Sequence, residues 1–200
     1  MKILIATHNK SKFELYKSIL ENDNISVISL NDINSKLEVE ETGVTAIENA
    51  IVKVKSYGSL TNITTICVDD SLNLDNIPCY LNPGVNIRRV NNKVLTDEEM
   101  INYYSNLVSE YGSNNLLKGR FVKGLAVYHN GDIYSHEFLR EIVMTSVVSK
   151  EINEGYPLNS VIIDTTTNKY ISQHNDNDKK IVNDKYYLGV KKFVYDILNS

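Results

Sequence analysis

The sequence predicts an α/β fold, on three observations. First, a short apolar run at residues 3–6 turns into Thr7-His8-Asn9-Lys10, then Leu15, Tyr16, Ile19 and Leu20 recur at helical spacing, and Val27-Ile28-Ser29-Leu30 follows. This strand–helix–strand order is the usual beginning of an α/β sheet. Second, Thr45 with Glu48 and Thr96 with Glu99 repeat the capping-box pattern that opens a helix. Third, Asn130-Gly131 stands between two strand-like runs, the composition of a type I′ hairpin turn.

The elements follow in order. The helix opened by Thr45 carries Ile47, Ala50, Ile51 and Val54 as its buried stripe. Residues 65–68 read as a buried strand that delivers Asp69, Asp70 and Ser71 at its C-terminal end, where open α/β sheets place their ligands. A helix runs from Thr96 to about residue 110. Residues 121–129 and 132–148 form the two arms of the hairpin, and 161–164 is a short strand. Residues 168–184 are polar and read as a mobile loop. A closing helix over 185–198 buries Tyr187, Val190, Val194 and Ile197. With 200 residues, no internal repeat and no linker, one domain over 1–200 is expected.

Composition narrows the function. Hydrophobic residues make up 42% and charged residues 23%, which suits a globular protein rather than a disordered one. The formal charge is −4, from 21 basic and 25 acidic residues, and no long basic run is present. A nucleic-acid partner is therefore not expected. A small anionic substrate is compatible, since a few lysines and a metal reverse the sign of one local site. Cys67 and Cys79 are too few for a disulfide framework and read as two reduced, buried thiols. The 3–6 run is too short for a signal-peptide core or a bilayer span, so no membrane association and a cytoplasmic location are expected.

Four clusters carry candidate chemistry. Asn9, with Thr7, Lys10 and Lys12, sits where a strand turns into a helix, a place that attracts phosphate; the same asparagine could simply cap that helix. Glu40-Glu41 before a helix start ordinarily serve as dipole-complementing surface charges, and Lys53 ordinarily faces solvent. Asp69-Asp70-Ser71 is more specific, because adjacent carboxylates at a protein interior need cations to offset them, and their hard oxygens suit Mg²⁺ on a polyphosphate. Arg88 and Arg89 after Pro83-Gly84 offer guanidinium forks. His8, His129, His136 and His174 lack metal-ligand spacing.

In this order and spacing, the features resemble the inosine triphosphate pyrophosphatase family. Residues 6–12, Ala-Thr-His-Asn-Lys-Ser-Lys, resemble its Thr-Gly-Asn-x-x-Lys opening. Residues 40–53 are similar, nearly residue for residue, to its Glu-Glu-Thr-Gly-x-Thr-x-x-Glu-Asn-Ala-x-x-Lys segment. Val68-Asp69-Asp70-Ser71 resembles Ala-Asp-Asp-Ser-Gly, and Pro83-Gly84 with Arg89 resembles Pro-Gly-x-x-x-x-Arg. The resemblance covers residues 1–90 well. It implies an elongated two-lobed α/β fold with a central twisted mixed sheet and a cleft between lobes. The activity it implies is Mg²⁺-dependent hydrolysis of noncanonical purine triphosphates (dITP, ITP, XTP) to monophosphate and pyrophosphate, by a homodimer. Under the same resemblance Glu41 and Asp69 bind Mg²⁺, and Asp70 orients or deprotonates the attacking water. Thr7, Asn9, Lys12, Lys53, Ser71 and Arg89 bind the substrate.

The chain departs from the family where the base is read. Leu72 replaces the glycine after Asp-Asp-Ser. Tyr156 is kept as an aromatic to stack on the base, while Leu158 and Asn159 replace a tyrosine and an aspartate. The late Lys-x-x-x-Ser-His-Arg signature aligns with Lys179 and Asn183-Asp184-Lys185, so Lys179, Asp184 and Lys185 are the base-end candidates. Intact phosphate residues beside rewritten base residues predict altered base preference. The alternative expectation is a weakly active or inactive dITP-type sensor that signals to an effector protein partner, for example in antiviral defence.

Overall fold

The computed structural model describes residues 1–199. Its elements, in order, are β1 (Lys2–Ile5), α1 (Lys10–Leu20), β2 (Ser26–Ser29), α2 (Ala46–Thr61), β3 (Thr64–Leu74), β4 (Arg89–Val90), β5 (Lys93–Val94), α3 (Asp97–Tyr111), β6 (Leu116–His129), β7 (Asp132–Thr145), β8 (Ile162–Asp164), β9 (Lys169–Tyr170) and α4 (Asp176–Leu198). Seven strands form one mixed sheet in the order β2-β1-β3-β6-β7-β8-β9, and β4 and β5 form a separate small hairpin. β1 pairs in parallel with β2 and with β3, whereas β7–β8 and β8–β9 are antiparallel. The α/β class and central mixed sheet expected from the sequence are those observed. Among the described residues, no helix is long and apolar enough to cross a membrane.

The chain divides into two compact units. The first comprises Met1–Asp70, Lys123–Phe138 and 187–199, and the second Ser71–Val122 and Leu139–Tyr186. In the first, alternation along each strand sends successive side chains to opposite faces of the sheet. Ile3, Ile5, Ile66, Val68, Leu125 and Val127 meet Tyr16 and Leu20 of α1 and Val190, Val194 and Ile197 of α4. Leu4, Ala6, Cys67 and Ala126 point the other way, onto Ala50, Val54 and Tyr57 of α2. Gly124 lets α2 come close, since a Cβ there would lie 2.4 Å from the Ala46 carbonyl carbon and the Ile47 nitrogen. The second unit has its own core, in which Leu72, Leu74, Leu117, Ile142 and Met144 pack on Met100, Tyr104, Leu107 and Val108 of α3.

The caps read from the sequence are present. Thr45 accepts from the Glu48 N–H while Glu48 accepts from the Thr45 N–H, and Thr96 with Glu99 repeats the arrangement. Asn130 and Gly131 take φ of 52° and 95°, the doubly left-handed backbone a type I′ turn requires.

Four expectations need correction. β3 does not end at Val68 but continues to Leu74, so Asp69-Asp70-Ser71 lies inside a strand. β6 begins at Leu116 rather than near residue 121. Residues 168–184 are not a loop: β9 occupies 169–170, a 3-10 turn 171–173, and α4 starts at Asp176 instead of 185. That polar start is held by a reciprocal cap, with Asn175 Oδ1 accepting from the Asp178 N–H at 2.9 Å and Asp178 Oδ2 from the Asn175 N–H at 3.1 Å. Of the two thiols only Cys67 is buried; Cys79 is exposed.

Candidate active site

The strand β3 organises the site because its consecutive acids face opposite sides of the sheet. Asp69 falls in register with Cys67 and points toward α2, whereas Asp70 falls in register with Ile66 and Val68 and points toward α1 and α4. The repulsion expected between adjacent carboxylates is thereby relieved, and each acid meets its own cations.

On the α2 side, Asn49 and Lys53 lie one helical turn apart on one face and both reach Asp69. Lys53 Nζ donates to Asp69 Oδ1 at 3.0 Å, to Glu41 Oε1 at 2.8 Å and to the Val68 carbonyl at 3.4 Å. The fully buried Asn49 donates to Asp69 Oδ2 at 3.1 Å and accepts from the Gly43 N–H at 2.8 Å. Gly43 has to be glycine here, because a Cβ would lie 2.6 Å from Glu48 Cβ and 2.9 Å from the Asn49 nitrogen. The near-identity of the Glu-Glu-Thr-Gly segment to its pattern thus has a physical basis. Capping box, glycine contact and buried amide together fix where Glu41 stands. Burial would lower the Lys53 ammonium, but Asp69 and Glu41 outweigh it and hold it above the ordinary lysine value. With a side chain 13% exposed, Lys53 is not the solvated lysine that is the default on a helix.

On the other face, Asp70 sits between two ammonium groups. Lys12 Nζ lies 2.7 Å from Oδ2 and Lys123 Nζ 2.6 Å from Oδ1. Burial by itself would raise this carboxyl; Lys123 and Lys12 reverse the effect and hold it far below the usual carboxylate range. Asp70 is therefore ionised at any pH near neutral. Lys12 is delivered by the turn into α1, where Asn9 Oδ1 accepts from the Ser11 and Lys12 N–H groups at 3.0 Å each. Asn9 is thus the helix cap. Thr7 Oγ1 accepts in turn from the Asn9 N–H at 3.2 Å.

Sequence reasoning did not single out Asn49 as a site residue and missed Lys123 altogether. For Lys123 a signal existed, since Phe121, Lys123, Leu125 and Val127 alternate onto one face and a lysine on a core face needs a partner. Tyr16 and Tyr187 stand beside it, their rings edge to face with centroids 6.4 Å apart.

The remaining candidates belong to the second unit. Ser71 is buried in β3, and Arg89 is exposed on β4. Tyr156 precedes a 3-10 turn and its carbonyl accepts from the Asn159 N–H at 3.0 Å; Asn159 Nδ2 donates to Asn153 Oδ1 at 3.0 Å. Lys179, Asp184 and Lys185 are exposed along α4. Lys185 Nζ donates to Thr166 Oγ1 at 3.0 Å and stands over the Tyr186 ring.

No group of three or more His, Cys, Asp or Glu side chains that could hold a metal ion occurs among the described residues. What does converge is one Glu41 oxygen and one Asp69 oxygen, both within 3.0 Å of the same cation, Lys53 Nζ. These are oxygens of the hard type that Mg²⁺ takes from one or two protein carboxylates, but the point on which they converge is held by the Lys53 ammonium.

The model of the Ham1 family matches residues 3–185. Curated relatives include the dITP/XTP pyrophosphatase of Bacillus subtilis (strain 168), 42% identical over 74 residues that span 37% of this chain and 37% of the relative. The dITP/XTP pyrophosphatase of Aquifex aeolicus is 40% identical over 85 residues, 42% of this chain and 40% of the relative. The aligned stretches thus span well under two thirds of these relatives' length. Among solved structures, the Ham1 protein of Staphylococcus aureus has a TM-score of 0.77 at 21% identity, covering 98% of this chain and 99% of that one. The nucleoside-triphosphatase / dITP/XTP pyrophosphatase of Mycobacterium abscessus has a TM-score of 0.72 at 21% identity, over 95% and 97%. At that identity the likeness is one of fold.

Proposed function

This chain belongs to the Ham1 family, and on that premise we propose that it hydrolyses noncanonical purine nucleoside triphosphates such as dITP, ITP and XTP to the monophosphate and pyrophosphate. The observation that carries the reading is the pair of lysine–carboxylate clusters on the two faces of β3, Lys53 with Glu41 and Asp69, and Lys12 and Lys123 with Asp70. The names of the aligned relatives, dITP/XTP pyrophosphatases, support it.

Lys12 and Lys53 are the ammonium groups available to a polyphosphate, and Thr7 and Asn9 shape the turn that presents Lys12. Asp70, ionised and held by both oxygens, orients the attacking water for cleavage of the α–β phosphoanhydride bond, with pyrophosphate as the leaving group. Its low proton affinity makes orientation the larger part of its role, since an efficient base has a pKa near the working pH. Glu41 and Asp69 would hold Mg²⁺, which supplies neutralisation of the charge that develops on the phosphate oxygens. Ser71, Arg89, Tyr156, Asn159, Lys179, Asp184 and Lys185 are proposed for the remainder of the substrate, with Tyr156 stacking on the base. A homodimer is proposed from the resemblance alone, and light scattering near the 22.7 kDa of one chain would overturn it.

The decisive experiment is pyrophosphate release from ITP, dITP, XTP and the four standard dNTPs, with Mg²⁺ and with EDTA. Release from the first three that EDTA abolishes is the expected result. Tight nucleotide binding without release would instead favour the sensor.

A further inference from the structure

Lys123 belongs to none of the motifs above, yet it is one of the most constrained charges in the first unit. It alternates with Leu125 and Val127 along β6, so its side chain enters the sheet face that buries Tyr16 and Val190, and it is 19% exposed. A lysine in such a place is tolerated only with a partner. Asp70 is the only carboxylate the structure pairs with it among the described residues. The neighbouring Tyr16 cannot neutralise it, because burial pushes that phenol well above its ordinary value and keeps it protonated.

Asp70 therefore has two cations of different character. Lys12 comes from the first turn of α1, beside the Thr7–Asn9 turn, and is the more exposed at 27%. Lys123 comes from mid-strand, with Tyr16 and Tyr187 near enough to act on it electrostatically. Resting on the polyphosphate reading above, we infer that Lys123 is a positioning residue that keeps Asp70 paired while Lys12 exchanges its carboxylate for a phosphate oxygen. Without Lys123, every contact between Lys12 and phosphate would strand an ionised carboxylate that is four-fifths out of water, and that loss would be charged against binding. With Lys123 in place, Lys12 trades one charge-assisted bond for another and Asp70 keeps its aim.

The test is calorimetry with the α,β-imido analogue of dITP and Mg²⁺, on wild type, Lys123→Met, Asp70→Asn and the double variant. Lys123→Met should weaken binding by about tenfold or more, the scale of one uncompensated, partly buried charge. In the Asp70→Asn background the same change should have no effect, because no carboxylate remains to be stranded. Wild-type affinity in Lys123→Met would overturn the inference, and so would an equal loss in both backgrounds, which would mean direct contact with phosphate. Absence of binding to wild type would overturn the functional reading, and this inference with it. Lysine ¹⁵Nζ resonances of the wild type give a measurement independent of whether Lys123→Met folds. On adding the analogue the Lys12 signal should move and the Lys123 signal stay; movement of both, or of neither, would refute the exchange.

Discussion

Asn49 and Asp69 are joined at 3.1 Å by a buried amide whose other end holds the Gly43 backbone at 2.8 Å. One side chain thus ties the loop that carries Glu41 to the strand that carries Asp69. Its removal leaves a half-buried N–H and a carboxylate oxygen without partners, at roughly 1–3 kcal/mol each. Asn49→Ala should therefore lower stability by about 2–6 kcal/mol on that scale, read as a shifted urea midpoint with an unchanged slope. It should also loosen the Glu41–Lys53 contact. A midpoint within error of wild type would mean that the amide ties nothing together.

Asp70→Asn should cut turnover by roughly two to four orders of magnitude, the range of a positioned acid–base group. The amide preserves the shape but orients the water poorly and cannot take up a proton. Because Lys12 and Lys123 then face a neutral group, stability should fall as well, so far-UV circular dichroism must accompany the kinetics. Wild-type turnover in a folded variant would remove Asp70 from the chemistry.

Much of this was legible in the sequence, and the failures have a common cause. Helices α1, α2 and α3 declared themselves through apolar spacing and caps, and the hairpin through Asn130-Gly131. β3 was cut short because Asp69, Asp70 and Ser71 look like a turn; they are strand residues only because lysines from α1, α2 and β6 neutralise the acids, and those lysines arrive from distant parts of the chain. The start of α4 was missed because Asn175-Asp176-Asn177-Asp178 has the composition of a loop. Its stability comes from the reciprocal cap and from Lys169 pairing with Asp178 at 2.9 Å. Motif residues that share one local segment could be read together, whereas Lys123 showed only as a lysine on a core face, its partner lying 53 positions away.

Acid stability should report on Asp164. Burial would raise its carboxyl, yet the Arg140 guanidinium at 2.6 Å and the N–H groups of Thr166 and Thr167 hold it below the ordinary value. A depressed folded pKa gives stability that is complete above the unfolded value near 3.9 and is lost as pH falls through the folded one. Asp164→Asn leaves Arg140 unpaired and should cost roughly 3–5 kcal/mol at pH 7. The difference from wild type should shrink below about pH 4. Urea midpoints from pH 7 to 3 test this, and a gap that stays constant or widens on acidification contradicts it.

Base discrimination should be looser than the family pattern implies, with the change confined to the base end. A buried donor matched to a 6-oxo group rejects a 6-amino base because the wrong base leaves polar groups unpaired, at roughly 1–3 kcal/mol each. Asn183-Asp184-Lys185 in place of Ser-His-Arg removes an imidazole and exchanges a planar, two-pronged guanidinium for a single-point ammonium. In the structure that ammonium bonds Thr166 Oγ1 and stands over the Tyr186 ring, and Asn159 is engaged with Asn153, so both polar groups are already occupied. The lysines on β3's two faces do not depend on these residues, so affinity for triphosphates as a class should persist while preference for hypoxanthine over adenine falls. The quantity to measure is the ratio of kcat/KM for dITP to that for dATP, or of Kd values if turnover is absent. A ratio below about 150, worth less than one well-matched buried polar pair, is expected. A ratio of several hundred or more would sink this expectation and mean that other residues read the base.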